Sequence, residues 1–185
     1  KTMRIWPHHG PGEGHFAAYL KRSAQETDTN LNPAWSPANR TGVDSALYRE
    51  FFKRYLLPDE APPAIRPGSE RLVQFGGRIY SLPPVTLRLE GLNIIHWGWW
   101  IGTLKKNRFE PSHALSMALN PQIVRDTLSF PVKARELQSF LKGIPFRNEG
   151  PKGWVLICVD SYPLGWGKRV KNRVKSYLPG WLRQT

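Results

Sequence analysis

GWVLICVDSYPLGWGKRV, residues 153–170, is dense in β-branched and aromatic residues punctuated by Gly and Pro, and it marks the chain as strand-rich. Within it WVLICVD is a continuous apolar strand, where the thiol of Cys158 behaves as a small buried hydrophobe and not as a nucleophile. PLGWGK places two glycines before a lysine, but it lacks the spacing and the strand-to-helix context of a phosphate loop. It reads as a tight turn between strands.

Upstream of it, RLVQFGGRIYSLP (71–83) and GLNIIHWGWWIGTLKKNRF (91–109) carry the same strand signature. In a strand from Leu92 to Ile101, Ile95, Trp97, Trp99 and Ile101 share one face, and Ile94, His96, Gly98 and Trp100 the other, so both faces are covered. Helical patterns interrupt the strands at PSHALSMAL (111–119) and PVKARELQSFLKG (131–143). Pro111 followed by Ser112 marks the start of the first, and Gly143 suits the stop of the second. Earlier still, VDSALYREFFKRYLL (43–57) repeats apolar residues at spacings of four, with Asp44 to cap it and Pro58 to stop it, which predicts an amphipathic helix. Residues 23–42 are polar and Pro-punctuated and read as a linker. Residues 2–22, with two short apolar runs around a Pro/Gly turn, read as a hairpin with a long loop. Strands outnumber helices. The expected fold is α+β: a small mixed β-barrel, closed or half-closed, with packed helices, preceded by a helix and a hairpin. The expected divisions are 1–22, 23–65 and 66–185.

The 27 Lys and Arg against 14 Asp and Glu give a formal net charge of +13, and almost all of the excess lies in residues 66–185. Such a balance speaks about partners and solubility rather than about fold. The longest apolar run is too short to span a bilayer, which takes about 20 apolar residues. One cysteine cannot form an internal disulfide, so a reducing cytoplasm is the expected compartment. His8, His9, His15, His96 and His113 show no metal-binding spacing, and no metal is expected. FEPSHAL sets Glu110, Ser112 and His113 side by side, but neighbours at a helix start cannot face one another as a catalytic triad needs. Ser112 is read as a helix cap, and no catalytic residue is assigned.

The basic segments need no fixed geometry to act. Lys105, Lys106 and Arg108 follow a tryptophan-rich strand, and Lys168, Arg169, Lys171, Arg173 and Lys175 crowd the C-terminal part beside Trp166. Lys and Arg neutralise phosphates, while aromatic faces stack on unpaired bases. These nine residues are the candidate RNA-binding set, with Trp166 as the stacking member if it is exposed. A basic protein-interaction or ribosome-assembly module is the alternative.

RIWPHHGPGEGHFAAYLKR resembles the hairpin that closes the methyltransferase sheet in the Nop/Sun RNA 5-methylcytosine methyltransferases. GTLKKNRFEPSHALSMAL, GWVLICVDSYPLGWGKRV and the lysine-rich end resemble the PUA-like RNA-binding region that follows that sheet in the bacterial RsmF type. The resemblance covers about residues 1–22 and 70–185. It implies the C-terminal region of an S-adenosylmethionine-dependent rRNA cytosine-5 methyltransferase. Residues 1–22 would be the remnant hairpin of the catalytic sheet and residues 66–185 the PUA-like domain. It further implies that the two catalytic cysteines and the cofactor loop lie elsewhere, so that this chain binds RNA, with small-subunit rRNA as the expected partner, as a monomer without cofactor.

Overall fold

A computed structural model describes residues 2–4, 16–18, 45–83 and 96–184. By its own contacts the chain divides into Lys1–Pro33 and Ala34–Thr185. In the first unit β1 (Thr2–Arg4) pairs antiparallel with β2 (Phe16–Ala18), Thr2 opposite Ala18, which is the strand pairing the hairpin reading requires. The Pro/Gly turn with His8, His9 and His15, the linker 23–42 and the expected cap Asp44 lie outside the described residues.

The second unit's first described element is α1 (Ala46–Tyr55). Its spacing of four turns Tyr48, Phe51 and Phe52 inward. The helix ends at Leu56, whose backbone bridges to Val124, and Pro58 prevents its continuation. This helix belongs to the same core as the strands that follow it: Phe51 meets Phe109 at 4.9 Å and Trp166 at 6.0 Å between ring centroids.

Four antiparallel strands form a meander: β3 (Leu72–Phe75), β4 (Arg78–Ser81), β5 (Trp99–Lys105) and β6 (Arg108–Pro111). Gly76 and Gly77, with φ of +51° and +79°, make the first turn, in a backbone region that side chains oppose. The expected strand 92–101 is shorter at its start. His96 to Gly98 are not strand, β5 begins at Trp99, and Ile94 and Ile95 lie outside the described residues. Helix α2 (His113–Ala118) begins at Ser112, whose hydroxyl accepts from the Leu115 amide at 2.9 Å and donates to the Trp100 carbonyl. Ser112 is thus a structural cap that ties α2 to β5.

The second sheet holds β7 (Thr127–Phe130), β8 (Phe146–Arg147), β9 (Gly153–Val159), β10 (Tyr162–Val170) and β11 (Arg173–Ser176). Their order is β7-β9-β10-β11-β8, with β7 and β9 parallel and the other pairs antiparallel. Helix α3 (Arg135–Leu141) connects β7 to β8 and ends as expected at Gly143, φ +72°, with the amides of Gly143 and Ile144 bonded back to Phe140 and Ser139. This unit is a mixed α+β half-barrel of curled sheets.

PLGWGK is not a turn. It lies inside β10, and the chain reverses at Asp160–Ser161 and again at Lys171–Asn172, two-residue turns in which every central φ is positive. The glycines serve the other face of the strand. A Cβ on Gly167 would stand 2.6 Å from Val174, and one on Gly165 would stand 2.9 Å from Leu178. Both therefore let side chains pack closely on that face.

Antiparallel register sorts the sheet into two faces. One carries Val155, Ile157, Val174 and Phe146 against Phe140 and Leu178. The other carries Leu156, Cys158 and Trp166 against α1 and the meander.

Candidate nucleic-acid interface

The face that buries Trp166 changes character along the strands. Lys168 stands opposite Trp154 on β9 and Lys175 on β11, so the three side chains form one row across the sheet. In the next row Val170 opposes Arg173, and Arg173 opposes Arg147. Within two residues along the strands, apolar core thus gives way to cations: Arg147, Arg173 and Lys175 are all exposed.

Lys168 sits at the border. Its ammonium lies 4.8 Å from the centroid of the Trp154 ring and 5.9 Å from that of Tyr177, and the two rings meet edge to face at 4.6 Å. Burial lowers the Lys168 pKa below its usual range. The Arg108 and Lys152 cations lower it further, and the Glu110 carboxylate opposes them.

A cleft of about 170 Å³ opens beside this lysine. Helix α1 contributes Glu50, Arg54 and Tyr55, the β5–β6 turn Asn107, the start of β6 Arg108, and the second sheet Trp154 and Lys168. Arg54 donates to the Lys152 carbonyl at 3.2 Å, and Arg108 is held by Glu110 at 2.7 Å. Lys105, which ends β5 opposite Arg108, and Lys106 in the β5–β6 turn are exposed, and Lys171 is exposed in the β10–β11 turn.

Two of the nine expected contact residues belong elsewhere. Trp166 is 1% exposed and its indole N–H donates to the Ser112 carbonyl at 3.1 Å, so it is core and not a stacking platform. Arg169 is 2% exposed and lies on the opposite face of β10 from Lys168. Its guanidinium pairs with both carboxylate oxygens of Asp126 and donates to Asn148 Oδ1 and the Pro151 carbonyl, each at 2.9 Å. Sealed from solvent and engaged on every nitrogen, it is a structural cation and not a phosphate contact. An exposed tryptophan is found instead at Trp181, 81% accessible, in the turn Gly180–Leu182.

Arg54, Arg147 and Lys152 are missing from the sequence-derived set: Arg147 and Lys152 stand apart from other bases in the sequence, and Lys53–Arg54 lies in a helix read for its apolar stripe. Only register and folding bring them to this surface. Burial raises the Cys158 pKa to about 11, as suits a packed thiol. Among the described residues no cluster of three or more His, Cys, Asp or Glu is arranged to hold a metal ion. No helix there is long and apolar enough to cross a membrane.

Residues 127–184, the segment from β7 onward, match the family model of the methyltransferase RsmF PUA domain. Residues 50–119, from α1 through α2, match that of the RsmF rRNA methyltransferase first C-terminal domain. The chain carries the C-terminal modules of the RsmF methyltransferases. It is similar to the ribosomal RNA small subunit methyltransferase F of Psychromonas ingrahamii, 25% identical over 191 residues. That alignment covers 96% of this chain and 37% of its relative. In RsmF terms, the basic row lies within the PUA-matched segment, and the cleft is lined from both matched segments.

Proposed function

We propose that this chain is the rRNA-recognition region of an S-adenosylmethionine-dependent rRNA cytosine-5 methyltransferase. It would act in the cytoplasm as a monomer, holding small-subunit rRNA for a catalytic domain that does the chemistry. The observation that carries the reading is the row Trp154–Lys168–Lys175 with Arg173 beyond it: cations set beside aromatic rings at the open end of a sheet face. Phosphates are attracted by the charge, and the register of the strands fixes that charge in a defined array along which an RNA backbone can lie.

Lys105, Lys106, Arg108, Lys168, Lys171, Arg173 and Lys175 remain the proposed phosphate contacts, joined by Arg54, Lys152 and Arg147. S-adenosylmethionine belongs to the catalytic domain in this reading. Among the described residues no glycine-rich turn from a strand into a helix offers it a cradle. The role of the chain is to bind and orient, and the methyl transfer itself is not assigned to any of its residues.

Fluorescence anisotropy with a labelled rRNA fragment tests the reading. Charge reversal at Arg173 and Lys175 should weaken binding to every RNA tried. The same reversal at Lys133 and Lys142, exposed on the loop before α3 and at its end, should leave binding within about threefold, since isolated surface charges are worth under about 1 kcal/mol. Equal losses from both pairs would reject a directed face.

A further inference from the structure

Resting on the RNA reading, we infer that the cleft between α1, the β5–β6 turn and the β9–β10 strands seats one RNA phosphodiester, with Lys168 as the charge at its floor. Arg54, Arg108 and Lys168 line this cleft and Lys152 lies beside it, against Glu50 and Glu110. Glu110 is engaged by Arg108 at 2.7 Å. A positive excess therefore faces the opening.

Lys168 is the telling residue. It is half-buried, it has cations for neighbours, and its ammonium, beyond the two ring contacts, makes no hydrogen bond or ion pair with the described residues. Its charge rests near the rings of Trp154 and Tyr177, which attract a cation but accept no conventional hydrogen bond from its three N–H groups. An ammonium partly desolvated and held near two other cations carries an electrostatic cost in the free protein, and its N–H groups, which meet no protein acceptor, are left to face the cleft. A phosphate oxygen in the cleft would accept from Lys168 and Arg108 together, and the charge-assisted bonds would offset that cost.

Phosphate fits better than a stacked base. Trp154 is 4% exposed and its ring is occupied by Lys168, so no free aromatic platform is presented inside the cleft by that ring. The walls come from both RsmF-matched segments, so a phosphate seated here touches α1, the β5–β6 turn and the PUA-matched sheet at once. The site would fix the register of an RNA strand on the molecule, where the exposed lysines only attract it.

The test compares Lys168→Gln with Lys171→Gln, each removing one charge, in anisotropy titrations of the full 185-residue chain with the same rRNA fragment. Loss of a seated, charge-assisted contact should weaken binding by about tenfold or more, while loss of the turn lysine should cost about threefold or less. Arg54→Gln, on the rim and outside the hydrophobic core, should follow Lys168→Gln, and it keeps the test decisive if Lys168→Gln lowers the melting temperature. Equal effects of Lys168→Gln and Lys171→Gln, or no effect of Arg54→Gln, would overturn the seat while leaving the RNA reading standing. Absence of RNA binding by the unaltered chain would overturn both. Binding of labelled poly-glutamate that Lys168→Gln weakens about tenfold, with rRNA binding unchanged by the same substitution, would assign the cleft to an acidic protein and overturn the inference.

Discussion

Trp166 and Lys168 lie two residues apart on one face of one strand, yet one is sealed in the core and the other opens onto solvent. The difference comes from what covers each. Phe51 of α1 and Ser112 at the start of α2 close over Trp166, whereas the cleft leaves Lys168 accessible. Trp166→Ala should therefore cost about 3–5 kcal/mol of stability, read in a denaturant melt, and should leave the salt slope of RNA binding unchanged in the folded fraction. The same logic applies to Arg169. Removing either it or Asp126 leaves a buried or half-buried charge unpaired, so Arg169→Ala should cost about 3–5 kcal/mol, and a double-mutant cycle with Asp126→Ala should show strong coupling. Cys158 gives a pH test. Its pKa rises from 9.0 to about 11 on folding, so the folded state favours the neutral thiol. Its contribution is complete below pH 9 and is lost as pH rises through about 11, and the stability difference between the native chain and Cys158→Ala should narrow over that window. The burial of Cys158 is legible from its apolar neighbours in sequence. That of Arg169 is not, because its partner Asp126 is 43 residues away and nothing local marks it.

Among the elements, β10 shows how a motif can mislead. Glycines flanking a tryptophan look like a turn when glycine is taken as a breaker, but here the alternation Gly165–Trp166–Gly167 is the period of a strand: large residue to one face, none to the other. The turns that bound β10 are built from Asp160–Ser161 and Lys171–Asn172, which carry none of the usual glycine signal. Gly167→Ala should destabilise the sheet by about 1–3 kcal/mol, since its Cβ would crowd Val174 at 2.6 Å and Val155 at 3.2 Å. A thermal melt checks it, and an unchanged melting temperature would mean that the sheet gives way there at little cost. Helices are easier to read. The spacing of four in α1, the Pro111–Ser112 start of α2 and the Gly143 stop of α3 are local signals, and the structure follows each of them.

Across the whole molecule, the net charge of +13 is visible from composition, and its concentration after residue 65 from counting along the chain. Its geometry is not. Neighbours in the run Lys168–Arg169 point to opposite faces of a sheet. Arg54, the counterpart of Arg108 on the helix side of the cleft, joins this surface only through packing of α1 on the meander and sheet. A run of charge in sequence is therefore not a patch in space until the register is known. The reading of this molecule as an RNA-binding region stands or falls on whether its ordered cations meet RNA phosphates. The dissociation constant for an rRNA fragment, measured across a series of salt concentrations, decides the matter. A steep straight line of log affinity against log salt is expected, with a slope of roughly −0.7 to −0.9 for each phosphate contacted. An affinity that hardly moves between low and high salt would refute it.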